Sequence, residues 1–270
     1  MRLAETAYAK INLALHVRRK RDDGYHELET LFAFVDAGDE LSATSAERDE
    51  FRVVGEFASE LDDPLGNIVA KALTRLPRPD GWRVTLDKRL PVAAGIGGGS
   101  ADAGAVFRMV RERFGLPDDW RSRAARLGAD VPACVDSVTA IGRGTGTELE
   151  PAGDDLAGTP VLLVNPRVPL STGAVFAAWV GADRGAVPVA PPREIALAGR
   201  NDLEAPAIGL CPAIAEVLAA LRQGEAWLVR MSGSGATCFA LFDESAARDS
   251  AARRIATEHP AWWTLCGKLR

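Results

Sequence analysis

Apolar and polar residues alternate along the first stretch of the chain. Ala7, Ala9, Ile11, Leu13, Leu15 and Val17 share one parity, while Tyr8, Lys10, Asn12 and His16 share the other. A period of two predicts a half-buried strand over Thr6–Val17, with Lys10 and Asn12 on one face. Asp22-Asp-Gly-Tyr-His26 reads as a turn and Leu28–Val35 as the returning strand. Asn67–Leu76 has helical spacing and ends at Pro77 and Pro79. Trp82, Val84 and Leu86 alternate with Arg83, Thr85 and Asp87 in a further strand, which runs through Lys88-Arg89-Leu90-Pro91 into a glycine-rich segment. Beyond it, Ala103, Val106, Phe107, Val110 and Phe114 fall on one face of an amphipathic helix starting near Ser100. A shorter helix over Trp120–Leu127, a strand over Val161–Val164, a helix over Ile214–Leu221, a strand over Cys238–Phe242 and a charged helix over Glu244–His259 complete the pattern. Gly142–Gly158, rich in Gly, Thr, Asp and Glu, reads as a domain boundary.

Composition narrows the class. With 270 residues, 47% hydrophobic and 26% charged, the chain suits a soluble globular protein of one large domain or two smaller ones. A net charge of -5 argues against a general nucleic-acid binder, which needs excess Lys and Arg. It leaves room for a nucleotide site, built from a few cations and backbone N–H groups. Cys134, Cys211, Cys238 and Cys266 form no CxxC pair, which disfavours zinc and disulfide frameworks and suits a reducing compartment. The N-terminus lacks the apolar core of a signal peptide and no run is long and apolar enough to span a bilayer, so a cytoplasmic protein with no membrane partner is expected. Nothing in the pattern bears on oligomeric state.

The glycine-rich segment carries the first chemistry. Gly95, Gly97, Gly98 and Gly99 free backbone N–H groups of obstructing Cβ atoms, and the helix that follows adds its positive end. Ser100 sits where an N-cap hydroxyl would. A Walker A loop would need Lys after the glycines, and the dinucleotide fingerprint fails because its last Gly falls on Ser100. A tight turn that binds nothing is the plainer alternative, but so many adjacent glycines exceed what a turn requires.

Pro91-x-x-x-Gly95-x-Gly-Gly-Gly-Ser100 resembles the phosphate-binding motif of the galactokinase, homoserine kinase, mevalonate kinase and phosphomevalonate kinase (GHMP) superfamily. Ala9-Lys-Ile-Asn12, Asp23-Gly-Tyr-His26, Gly128-Ala-Asp-Val-Pro132 and Ser232-Gly-Ser-Gly-Ala236 are similar to its 4-diphosphocytidyl-2-C-methyl-D-erythritol kinase family, in order along nearly the whole chain. The resemblance implies an α+β, two-domain GHMP-kinase fold: residues 1–153 ribosomal-protein-S5-domain-2-like, catalytic and ATP-binding, and 154–270 ferredoxin-like. It implies phosphoryl transfer from ATP, with Mg²⁺, to the 2-hydroxyl of a cytidine diphosphate-linked methylerythritol.

By the same resemblance Lys10 and Asp130 are the catalytic pair, Asp130 accepting the hydroxyl proton. Taken singly, Lys10 reads as a solvated strand lysine, the commoner case for one Lys, and Asp130 as a turn residue or helix cap. ATP contacts are implied for Pro91, Val92, Ala93, Ala94, Gly95, Ile96, Gly97, Gly98, Gly99, Ser100 and Ala101, and for Asn67 and Lys88; Asn67 also reads as a simple N-cap. Substrate contacts are implied for Asn12, for Tyr25 and His26 around cytosine, and for Thr172 and Phe176. Ser100 is the metal ligand offered. Ser232-Gly-Ser-Gly235 reads either as a second phosphate-closing loop or as a hairpin turn. The family motif usually continues Ser-Ser-Asp-Ala-Ala, against Ser100-Ala-Asp-Ala-Gly104 here; Gly104 is expected to cost about 1 kcal/mol of helix stability and to leave the chemistry untouched. Another GHMP kinase, of homoserine or mevalonate type, and a non-catalytic nucleotide-binding regulator are the rival readings.

Overall fold

The computed structural model describes residues 2–61 and 66–270, which gather into two compact units. One takes the described residues of Met1–Ala9, Ala37–Val92 and Gly97–Ser137; the other takes Lys10–Asp36, Ala93–Ile96 and Val138–Arg270. Strands β1 (Arg2–Lys20) and β2 (His26–Ala46) contribute residues to both. Both outrun the spans that alternation predicts, because ladder pairing continues past them: Glu40–Ala46 of β2 still has backbone partners.

In the first unit β3 (Glu50–Val54) is followed by α1 (Ile68–Arg75) and β4 (Gly81–Asp87). β4 pairs antiparallel with Glu40–Ala46 and parallel with β3, and α1 lies in the crossover that a parallel pair requires. Trp82, Val84 and Leu86 are buried and Arg83 is exposed, as their alternation predicts. Next come α2 (Gly98–Phe114), α3 (Trp120–Ala125) and α4 (Val131–Asp136).

α2 departs from expectation twice. It begins at Gly98, with Gly97 as N-cap at φ 63, so Ser100 is its third residue rather than its cap. It is also buried without interruption from Ala101 to Val110 instead of along one face, because α1 and α4 both pack on it. Gly104 is where α4 crosses: a Cβ there would lie 2.5 Å from the Cys134 carbonyl oxygen. Gly104→Ala is therefore expected to lower stability by about 1–3 kcal/mol, against alanine's better helix propensity. A melting temperature equal to or above that of the native chain would show that α4 yields freely.

After Lys10–Asp36 and Ala93–Ile96, the second unit continues in a hairpin, β5 (Ala140–Arg143) and β6 (Glu148–Pro151), turned through Gly144 and Gly146 at φ 67 and 95. β5 also pairs with Thr30–Phe32 of β2. The first part of Gly142–Gly158, loop-like by composition, is thus mostly strand, and its glycines serve the turn. Then follow β7 (Pro160–Asn165), α5 (Thr172–Ala177), α6 (Pro192–Ala198), α7 (Glu204–Leu210), α8 (Ala213–Arg222), β8 (Leu228–Met231), β9 (Cys238–Leu241), α9 (Ser245–Glu258) and β10 (Trp263–Lys268). The sheet order is β10-β7-β9-β8, antiparallel throughout. Strand, helices, two strands, helix, strand in that order is the ferredoxin-like arrangement. Leu162, Val164, Ile214, Val217, Leu221, Ala240 and Ile255 fill its core. The chain is α+β.

Candidate active site

The first unit holds the helical end of the glycine segment. Gly97 takes its left-handed φ and Gly98–Ser100 form the first turn of α2, leaving N–H groups without intrahelical partners. Three neighbours come close to this turn. A Cβ on Gly99 would lie 3.6 Å from Cγ2 of Ile68, next to Asn67, whose Oδ1 accepts the Val69 N–H at 2.8 Å as the N-cap of α1. A Cβ on Gly98 would lie 3.1 Å from Lys88 Nζ. One on Gly128 would lie 3.8 Å from Ser100 Oγ, two residues before Asp130. Asp130 is the N-cap of α4, and its side chain makes no capping bond. Loop, Asn67, Lys88 and the Asp130 turn are thus gathered in one unit.

Lys88 is buried in an ion-pair cluster. Its side chain is 2% exposed and its ammonium donates to Asp39 Oδ2 at 2.5 Å and to Asp102 Oδ2 at 3.0 Å. Asp39 Oδ1 also accepts the N–H groups of Arg89 and Leu90 at 2.6 and 2.8 Å. Lys88 therefore underpins Gly98 from inside the protein, its ammonium turned to Asp39 and Asp102. Desolvation lowers its proton affinity, yet Asp102 and Asp39 together raise it above the usual lysine range. Burial pushes Asp102 up to about 8 although Lys88 pulls the other way, and its Oδ1 is buried without a hydrogen-bond partner.

The second unit holds the other half of the segment, Ala93–Ile96. Lys10 N–H donates to Ile96 O at 3.0 Å, and Thr237 N–H to Ala94 O at 3.2 Å. Lys10 Nζ donates to Asn12 Oδ1 at 2.9 Å and lies 5.2 Å from the Phe32 ring centroid. Asn12 Nδ2 donates to Thr30 Oγ1 at 2.7 Å, and its N–H to Ser232 Oγ at 3.2 Å. Ser232 Oγ donates in turn to Gly95 O at 2.9 Å. Ser232–Gly235 connects the paired strands β8 and β9, so it is a hairpin connection, and it packs on the glycine segment directly. Asn201 Nδ2 holds it by the carbonyls of Met231 and Gly233. Thr172 Oγ1 lies 2.9 Å from Ser234 Oγ, joining α5 to the same group. Lys10, Asn12, Thr172 and the Ser232 connection therefore come together.

Tyr25 is 66% exposed in a turn whose N–H is taken by Asp23 Oδ1 at 3.1 Å. His26 faces Phe176 at 4.8 Å between ring centroids and meets Trp179 edge-on at 5.7 Å. Burial, then the charge of Lys20, lower the pKa of His26 below its usual value, favouring a neutral ring with one donor and one acceptor. Trp179 escaped the sequence reading; its signal is the three-residue step from Phe176.

Residues 66–137 match the GHMP kinases N terminal domain and residues 191–261 the GHMP kinases C terminal family. A 4-diphosphocytidyl-2-C-methyl-D-erythritol kinase of Novosphingobium aromaticivorans is 71% identical over 270 residues, covering 100% of this chain and 94% of the relative. The protein so named in Erythrobacter litoralis is 62% identical over 99% of this chain and 100% of its own. The chain belongs to the 4-diphosphocytidyl-2-C-methyl-D-erythritol kinase family. A solved 4-(cytidine 5'-diphospho)-2C-methyl-D-erythritol kinase superposes with a TM-score of 0.81 at 32% identity, over 99% of both chains. Homoserine kinase from Cytophaga hutchinsonii shares the fold, with a TM-score of 0.71 at 16% identity over 99% of this chain and 95% of its own. Against the family motif, Ala101 is buried at 1% exposure, where a hydroxyl would need a partner inside the protein. Gly104 answers instead to the crossing of α4.

Proposed function

We propose that this chain transfers the γ-phosphoryl group of ATP to the 2-hydroxyl of 4-diphosphocytidyl-2-C-methyl-D-erythritol, yielding the 2-phosphate and ADP in the non-mevalonate isoprenoid precursor pathway. The observation that carries the reading is 71% identity along the whole chain to a relative of that name. Asp130 takes the proton of the 2-hydroxyl, whose oxygen forms the new bond to the γ-phosphorus as the bond to the β-phosphate oxygen breaks. Lys10, fixed by Asn12, neutralises charge on the transferring group. The loop from Pro91 to Ala101 receives the phosphates through its N–H groups, with Asn67 beside it. Positive φ at Gly95 and Gly97, where other side chains are strained, supports this cradle.

Ser100 Oγ, in the first turn of α2, is the hydroxyl offered to Mg²⁺; it suits an ion that keeps most of its shell as water and phosphate oxygens. Among the described residues no cluster of three His, Cys, Asp or Glu side chains competes for it. Bound there, Mg²⁺ supplies neutralising charge to the polyphosphate. Asn12 and Thr172 face the methylerythritol, and Tyr25, His26 and Phe176 the cytosine, where a neutral imidazole supplies one hydrogen bond and the rings stack. We assign catalysis to residues 1–153 and the ferredoxin-like part to 154–270. The protein acts in the cytoplasm on a small molecule, without nucleic-acid or membrane partners. Its net charge of -5 supports the lack of a nucleic-acid partner.

The test is acceptor preference. In an ADP-release assay the cytidyl acceptor is expected to exceed mevalonate and homoserine by at least about 10³-fold in kcat/KM, since a site built to hydrogen-bond and stack a base penalises acceptors that lack it. Equal or reversed preference would sink the cytidyl assignment.

A further inference from the structure

Arg108 carries a buried charge that the proposed chemistry leaves unused. It projects from α2 with 8% of its side chain exposed. Its Nη1 donates to the Cys134 carbonyl at 2.5 Å and to Ser137 Oγ at 2.9 Å; Nη2 donates to the Thr6 carbonyl at 2.6 Å; Nε donates to Glu5 Oε1 at 3.0 Å. Ser137 is the C-cap of α4, and its hydroxyl also donates to the Cys134 carbonyl at 2.7 Å. A cation at a helix C-terminus complements the exposed carbonyls there. This one does more, because α4 has only six residues. The N–H of Cys134 is bonded to the backbone carbonyl of Asp130 at 3.0 Å. Cys134 thus takes Arg108 on its carbonyl and Asp130 on its amide.

We infer that Arg108 is a positioning residue for Asp130, anchoring α4 by its last turn so that the carboxylate at its first turn is held in one place. The inference rests on the reading of Asp130 as the proton acceptor. Gly104 is the counterpart of this anchor, since it lets the Cys134 carbonyl approach α2. A guanidinium is needed because only a planar fork serves the β1 carbonyl and the α4 terminus together; a lysine has the charge without the fork. Misplacing a reacting group by about 1 Å costs on the order of 10²-fold in rate.

The test compares Arg108→Lys with Asp130→Asn, each normalised to sites counted by binding of a non-hydrolysable ATP analogue. Arg108→Lys is expected to lower kcat per site about 10–100-fold, with KM for ATP and for the acceptor within about twofold of native. A merely structural role would reduce the number of binding sites and leave kcat per site unchanged; that result, with Asp130→Asn inactive, overturns the inference and spares the catalytic reading. Full turnover in Asp130→Asn would overturn both. If Arg108→Lys does not fold, Ser137→Gly serves instead. Ser137 already has φ 48, so glycine removes the hydroxyl without backbone strain. It is expected to lower kcat per site several-fold at unchanged KM, and an unchanged kcat would overturn the inference.

Discussion

Asp130→Asn is expected to lower kcat by about 10²–10⁴-fold while the dissociation constant for ATP stays within about twofold of native. Asparagine keeps the size and shape of the side chain and is as good an N-cap as aspartate, so α4 keeps its start. The aspartate makes no capping bond to the helix, so the exchange breaks none. What disappears is the negative charge and with it the capacity to accept a proton. Lys10→Met should act in the same direction, because it removes the charge fixed by Asn12 at 2.9 Å. The double variant should be little worse than the single ones, as residues acting in one step are not additive. ADP release gives kcat and calorimetric titration gives ATP affinity. A kcat within tenfold of native in Asp130→Asn would remove Asp130 from the chemistry.

Lys88→Met should produce the largest loss of stability. It leaves Asp39 and Asp102, at 0% and 3% side-chain exposure, facing one another without their shared cation. Breaking a buried ion pair by removing one partner costs about 3–5 kcal/mol, which for a chain of this size lowers the melting temperature by roughly 10 °C. Asp102→Asn should behave otherwise. Burial raises Asp102 to about 8 from the ordinary carboxylate value, so between about pH 4 and pH 8 the folded state keeps a proton that the unfolded state has released. Stability from this group is full below about pH 4 and is lost as pH climbs towards 8. Asp102→Asn removes that loss and should be relatively more stable at pH 9 than at pH 5, by denaturant titration at both. Identical pH slopes for the two proteins would mean that Asp102 is ionised in the fold.

The surroundings of Lys88 show what a sequence conveys and what it leaves out. Period-two alternation located β1 and β4, and the Asn67 cap located α1, because those signals lie within a few residues of one another. The partners of Lys88 are 49 and 14 residues away, and no local pattern links Lys88 to Asp39 or Asp102. Arg108 was hidden in the same way: its charge argues for solvent, and only α4 and the start of β1 make that position interior. The start of α2 was misplaced because a serine signals an N-cap more strongly than a glycine, whereas the chain needed a left-handed residue there. α5, α6 and α7 are six or seven residues long, too short for apolar periodicity to emerge. The Ser232 connection was legible as a hairpin, but its seat on Gly95 was not, since loop-to-loop backbone contact leaves no side-chain signature.

That seat has an evolutionary consequence. A Cβ on Gly95 would meet Ser232 O at 2.5 Å and Gly235 O at 2.7 Å, and one on Gly233 would meet Gly95 O at 2.8 Å. Every one of these obstacles is backbone. A large side chain can be shrunk by a second mutation elsewhere, but a carbonyl oxygen has no smaller version. Neither glycine therefore has a suppressor among the other residues, and the two positions cannot drift by exchanging bulk. Within any lineage that keeps this contact they should be fixed together, and saturation libraries at Gly95 or Gly233 should return glycine alone.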